Sequence, residues 1–204
     1  YIPLSNINMS DLLLALALVL LLFPIFYVVT GVVANVYSVG FFFLIMIPTM
    51  MTLIGGAPFV PTPMAAVKKM AEVAKLKKGH KVCDIGCGDG RAVYIAANKY
   101  GADATGYELS PLVYGLARLR KLFWRSKAKI LFRNFKTLTF HDVDVIMCYL
   151  LPETLATLQP KLEKELKKGA KVVSYAFQIS GWTPKHIEPK NAEKNLSPIY
   201  VYEM

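Results

Sequence analysis

The apolar positions of this chain follow two regimes that meet near residue 56. Residues 12–54 contain no charged side chain at all, whereas beyond Gly56 apolar runs of four to six residues alternate with charged, helix-like stretches. One straight helix over the uncharged run would reach roughly 65 Å, about twice the ~30 Å hydrocarbon core of a bilayer, so a break is expected. Residues 35–40 (Asn-Val-Tyr-Ser-Val-Gly) supply it, dividing 12–34 from 41–54. The first piece is long enough to span a membrane. The second is shorter and contains Pro48, so it reads as a second span extended back through Val36, or as a helix lying in the interface or dipping into the membrane. A helical hairpin is the preferred reading over a single span. No basic segment precedes the run and it is too long for a cleaved signal peptide, which favours a permanent anchor; a buried core helix is the soluble alternative.

A connector follows, in which Pro58, Pro61 and Pro63 make a stiff, extended segment without regular hydrogen bonding. Thr62 and Pro63 are expected to act as N-cap and first residue of a helix whose apolar face carries Val67, Met70, Val73 or Ala74, and Leu76, and which stops at Gly79. Strands are expected at 82–85, 104–107, 129–132, 144–149, 171–176 and 199–204. Helices are expected over 92–97, from Ser110-Pro111 to about Trp124, from Pro152, and again from Pro160 to a stop at Gly169. The alternation is an α/β pattern, and the chain divides into 1–56 as a transmembrane anchor and 57–204 as a catalytic domain.

Charge sharpens this division. The net charge is +10 and the mean hydropathy +0.39, yet residues 1–56 hold no Lys or Arg and only one acid, Asp11. By the positive-inside rule the later domain lies on the cytoplasmic side of an integral membrane protein. Lysine-rich stretches such as Lys75, Lys77, Lys78 and Lys161, Lys164, Lys167, Lys168 are solvated helix faces or a basic surface held against anionic lipid. Cys83, Cys87 and Cys148 form no CxxC pair, and His80, His141 and His186 are scattered, so neither a disulfide framework nor a metal site is expected.

The chemistry concentrates in Val82 to Arg91, Val-Cys-Asp-Ile-Gly-Cys-Gly-Asp-Gly-Arg. Gly86, Gly88 and Gly90 sit between an apolar strand and a helix start, where glycine permits φ > 0 and a close approach of backbone to a ligand. The spacing fits neither a dinucleotide fingerprint, since the position expected for its third glycine is Arg91, nor a P-loop. Asp84 followed by G-x-G-x-G resembles motif I of the class I S-adenosylmethionine-dependent methyltransferases. That cofactor carries an ammonium, a carboxylate and a sulfonium but no phosphate, so an acid in the turn is suited to its amino-acid end. Glu108, 18 residues after Gly90 at the end of the second strand, stands where an acid in this fold accepts from both ribose hydroxyls.

The anchor, the Pro-Phe-Val-Pro-Thr-Pro segment and motif I together resemble the small membrane-bound protein lysine methyltransferases that act on the ATP synthase c-subunit and the adenine nucleotide translocase. The resemblance covers nearly the whole of 57–204, including Gly106-Tyr107-Glu108-Leu109 and Tyr149-Leu150-Leu151-Pro152. It implies a Rossmann-like, seven-stranded methyltransferase sheet with helices on both faces and an antiparallel last strand. It also implies S-adenosylmethionine bound by Asp84, Gly86, Cys87, Gly88, Gly90, Glu108 and Leu109, with Pro61 and Thr62 near the methionine end or the substrate entrance. Asn134 stands where methyltransferases often bond the adenine amino group, and Phe135 would pack on the ring; a capping Asn with a core Phe explains the same positions. Tyr149 is the best polar candidate beside the transferred methyl, with core packing as its other reading. Trp182 is placed near the substrate mouth or, equally in keeping with its type, as a packing anchor.

The expected reaction moves a methyl group to a lysine side chain of a membrane-associated protein. Two rivals remain open: the same chemistry on a lipid amine or quinone headgroup, and a cofactor-binding assembly factor without essential turnover. Enzymes that methylate nucleic-acid amines usually carry D/N-P-P-Y/F/W after the fourth strand, where this chain has Cys148-Tyr149-Leu150-Leu151-Pro152. No specific nucleic-acid partner is therefore expected.

Overall fold

The computed structural model describes residues 20–25, 28, 38–44, 46 and 59–204. The chain falls into two compact units, Tyr1–Pro58 and Phe59–Met204. In the first, residues 20–25 and 38–44 are helical, and the rings of Phe23 and Phe42 meet edge to face at 5.1 Å. Among the described residues no helix is long and apolar enough to cross a membrane; most of the expected anchor lies outside them.

The second unit is one sheet of seven strands with helices on both faces. Its elements are α1 (Met64–Val73), β1 (Lys81–Ile85), α2 (Arg91–Tyr94, continued by a π-helical turn over Ile95–Lys99), β2 (Asp103–Glu108), α3 (Pro111–Phe123), β3 (Lys129–Phe132), β4 (Val145–Cys148), α4 (Pro152–Glu165), β5 (Lys171–Tyr175), β6 (His186–Glu188) and β7 (Ile199–Glu203). The strand order is β3-β2-β1-β4-β5-β7-β6. The first five strands are parallel and β7 runs antiparallel between β5 and β6. Connections from β1 lead outward to β2 and β3, then return across to β4, so the sheet changes direction between β1 and β4. In open α/β sheets that crevice, at the carboxyl ends of the strands, is where ligands bind.

Alternating side chains build the two layers. Val82, Val145, Met147, Val173 and Val201 join a core with α1, α2 and Ala117 of α3. Their neighbours Cys83, Ile85, Ile146, Cys148 and Val172 join a second core with Leu155, Leu158 and Leu162 of α4.

Four local expectations are corrected. Thr62 does not cap α1; the N-cap is Pro63 and no side chain bonds the first turn. That helix ends at Val73, well before Gly79, because Lys75 turns left-handed at φ 54° and Leu76 bonds back to the Ala71 carbonyl. Pro160 lies inside a single α4 instead of opening a second helix. The buried positions Leu155, Leu158 and Leu162 continue the same face across it, and the loss of one backbone bond at Pro160 does not outweigh that burial. The edge strand β6 is an addition to the expected strands, beginning at the exposed His186.

Candidate functional site

The turn after β1 is shaped by what surrounds it. Gly86, Gly88 and Gly90 have φ of 72°, 57° and 82°, a region where a Cβ carries a steric penalty. A Cβ on Gly86 would stand 3.1 Å from Leu150, and one on Gly88 only 2.6 Å from the ring of Phe59. The N–H groups of Gly86 and Cys87 both bond the Tyr107 carbonyl at 2.9 and 3.0 Å, tying the turn to the end of β2. The Cys87 side chain is buried against Gly106, where a Cβ would come within 2.7 Å of its sulfur, so the thiol packs the turn onto β2.

Glu108 closes the other wall. Its Oε2 accepts the N–H of Gly88 at 3.0 Å, and its Oε1 accepts the N–H groups of Leu109 and Ser110, both at 2.9 Å. Three backbone donors fix the carboxylate between the glycine turn and the start of α3. A carboxylate has about four lone-pair positions, so it retains capacity for a hydroxyl donor.

Asp84 is the buried acid of the site, 6% exposed near the end of β1. Burial first, and then the charges of Glu108 and Asp89, push its carboxyl up to about 8. No described group donates a hydrogen bond to it, yet among the described residues the sealed side-chain polar atom without a partner is Nδ1 of His80. The Asp84 oxygens therefore face an opening. An unpartnered acid beside a helix start is the donor set expected for a cationic, phosphate-free ligand, so the residues present fit S-adenosylmethionine.

Asp89 does something different. Its carboxylate takes Arg91 Nε at 2.9 Å and Arg91 Nη2 at 2.5 Å, and also pairs with Arg120 of α3. Burial pushes this carboxyl up, but the hydrogen bonds and charge of Arg91, with the charge of Arg120, hold it below the usual carboxylate range. Arg91 Nη1 also donates to the Thr62 carbonyl at 2.6 Å. Thr62 is thus brought beside the turn by its backbone, next to exposed Pro61, and Phe59 lies over Gly88. The ion cluster of Asp89, Arg91 and Arg120 and the ring of Phe59 over Gly88 are features of the turn that sequence reasoning missed. The signal was present in Asp89 and Arg91 flanking Gly90, an acid and a base on either side of a turn glycine.

At the end of β4, the Tyr149 ring meets Tyr175 edge to face at 5.1 Å and stacks near Phe177 at 6.2 Å. Phe177 is held there by the Ser174 hydroxyl, which donates to its carbonyl at 2.6 Å, and by Ala176 in the left-handed region at φ 68°. These rings cluster after the ends of β4 and β5, on the β4 side of the switch point, with Tyr175 buried in the core and Tyr149 and Phe177 partly exposed. Asn134 caps the short 3-10 turn Phe135–Thr137, its Oδ1 accepting the Lys136 N–H at 2.9 Å, and Phe135 packs against the second core. Trp182 donates from Nε1 to Glu163 of α4 at 2.6 Å and sits edge to face on Tyr202 at 5.4 Å. Neither contact joins Trp182 to the glycine turn.

Comparison with known proteins agrees with this geometry. A family model described as the ANTKMT methyltransferase domain matches residues 84–186. A protein-lysine N-methyltransferase of Saccharolobus islandicus (strain REY15A) is 36% identical over 155 residues, covering 74% of this chain and 96% of that protein. The adenine nucleotide translocase lysine N-methyltransferase of Mus musculus is 36% identical over 152 residues, or 71% of this chain, which spans 63% of that relative's length. Among solved structures, an RNA methyltransferase from Salinibacter ruber in complex with S-adenosyl-L-homocysteine superposes with a TM-score of 0.65 at 29% identity, covering 71% of this chain and 93% of that one.

Proposed function

This chain belongs to the family of the ANTKMT methyltransferase domain, S-adenosylmethionine-dependent enzymes, and we propose that it methylates a lysine side chain of a membrane-associated protein. The observation that carries the reading is the acid-lined glycine turn at the end of β1, with the Tyr149 ring following β4 on the other side of the β1/β4 switch point. The relatives named as lysine methyltransferases support it.

When bound, the cofactor supplies the electrophilic methyl on a sulfonium. The chain's own residues do the rest. Asp84 would meet the ammonium of the amino-acid end, Glu108 would accept from the ribose, and the absence of side chains at Gly86, Gly88 and Gly90 would let the backbone approach the cofactor closely. Asn134 has its amide Nδ2 uncommitted among the described residues and sits where the adenine edge is expected. Tyr149 and Phe177, backed by buried Tyr175, offer apolar ring faces to the incoming lysine. A lysine has a reference pKa near 10.4 and must reach the methyl neutral; an apolar slot beside a cation lowers that pKa. The transfer is an in-line displacement, so holding nitrogen, methyl and sulfur in line supplies most of the rate.

Residues 12–54 are read as the membrane anchor, arranged as a hairpin, with the catalytic domain on the cytoplasmic side. The contact of Phe23 with Phe42 supports the hairpin. The test of the substrate class is transfer of labelled methyl from S-adenosylmethionine by the purified full chain to membranes. Label in a protein band, lost with Glu108→Ala, is the expected result; label confined to the organic-solvent extract would assign a lipid or quinone headgroup instead. Measured cofactor binding without any transfer would point to an assembly role.

A further inference from the structure

Helix α3 is built inside out. Its core contact is the small Ala117, buried against Ile130 and Val93, while Leu112, Leu119, Leu122 and Phe123 are 50%, 52%, 72% and 74% exposed. These four, with exposed Gly115 between them, recur at three- and four-residue steps and so share the face of the helix turned away from the sheet. Phe132, half exposed on the edge strand β3, extends the patch beside Tyr114, ring to ring at 5.5 Å. An ordinary surface helix puts its polar residues there, and a contiguous apolar face of this kind marks an interaction surface.

The charge around it says what the surface fits. Residues 109–141 contain eight Lys and Arg and no Asp or Glu. Arg120 is committed to Asp89 and Lys129 to Asp103, but Arg118, Lys121, Arg125 and Lys127 form no ion pair among the described residues. Protruding aliphatic tips flanked by the unpaired cations Arg118, on the helix beside Leu122, and Arg125 and Lys127, just past its end, are complementary to a bilayer interface whose headgroups are anionic and whose acyl chains begin a few ångströms below. A nucleic acid would use the cations and the rings of Phe123 and Phe132 but has no place for Leu112, Leu119 and Leu122, which make up most of the exposed face and offer nothing to stack on. We propose that the exposed face of α3, with Phe132, docks on an anionic lipid surface. Because α3 starts two residues after Glu108's neighbour Leu109, docking holds the mouth of the cofactor crevice close to the headgroups. Docking depends on α3 and its surroundings, and on neither the catalytic reading nor residues 12–54.

The test uses an environment-sensitive fluorophore on the full chain in vesicles. Cys83, Cys87 and Cys148 are all buried, so Leu122→Cys gives one accessible thiol, and Lys164→Cys on exposed α4 gives the comparison site. In phosphatidylcholine vesicles with about one phosphatidylglycerol in three lipids, the label at position 122 is expected to shift to the blue and be quenched by headgroup nitroxide lipids. The label at position 164 stays in water, and neither site responds as strongly in pure phosphatidylcholine. Arg118→Gln and Arg125→Gln each lower the ratio of docked to free label by about fivefold, with binding of S-adenosylhomocysteine unchanged. A label at 122 that stays in water, equal quenching at both sites, or shielding by poly-uridine in place of lipid overturns the inference. Methyl transfer is measured on the same samples: transfer without docking overturns this inference alone, and docking without transfer overturns only the proposed reaction.

Discussion

Replacing Asp84 by Asn should change the pH dependence of both stability and ligand binding, in opposite senses. In the folded protein its carboxyl is raised from 3.8 to about 8, chiefly by burial. The gap of about four pH units corresponds to roughly 5 kcal/mol held against the ionised form. Between about pH 4 and 8 the folded state keeps a proton that the unfolded chain has released, so the stability of the ligand-free protein falls as pH rises through that window and levels off above it. Asp84→Asn removes the slope and raises stability near pH 7 by up to about 4 kcal/mol. A ligand ammonium beside Asp84 favours the carboxylate, so binding expels the proton. Affinity for S-adenosylhomocysteine should therefore climb about tenfold per pH unit from near pH 6 towards pH 8, where an α-amino group begins to deprotonate. Calorimetry in two buffers of different ionisation enthalpy measures this directly. Near pH 6.5, about one proton is released by the wild type and none by Asp84→Asn, whose affinity is lower by about 10- to 100-fold. A wild-type affinity that is flat across this range, or a proton release that survives in the Asn variant, would refute the pairing of Asp84 with the ligand's cation.

Three further outcomes test neighbouring parts of the site. Glu108→Gln puts an amide donor against one of three backbone N–H groups, and should weaken binding of S-adenosylhomocysteine by about 10- to 100-fold while lowering the melting temperature. Asp89→Asn leaves Arg91 and Arg120 without their acid and loosens the Arg91 bond to Thr62; urea unfolding should show a loss of about 3 kcal/mol, the low end for a buried pair because both arginines are partly exposed. Ala176→Gly relieves the left-handed strain at φ 68° and should stabilise the fold by up to about 1 kcal/mol, while freeing Phe177 lowers kcat more than it changes cofactor affinity.

The parallel core of the sheet was legible because β1, β4 and β5 are short apolar runs buried on both faces, as parallel strands must be. The cofactor crevice was legible because Gly86, Gly88 and Gly90 report a backbone conformation that few other residues take. What escaped depends on distant partners. The three residues of β6 alternate weakly and become a strand only because β7 offers its free edge. Thr62 looked like a cap because capping is local, yet its carbonyl is spoken for by Arg91, 29 positions on. Pro160 reads as a helix start in isolation, and only the leucines of α4 packed on the sheet reveal a continuous helix. Asn134 follows its local signal as a cap, and Trp182 follows its type as an anchor, held by Glu163 and Tyr202.

The most direct measurement is mass spectrometry of membrane proteins after incubation with the purified chain and isotopically labelled S-adenosylmethionine, with Glu108→Ala in parallel. Labelled methyl on a lysine ε-nitrogen of a membrane-associated protein, absent with the variant, is the predicted result. Label found only in lipid, in RNA or on another type of side chain would contradict it.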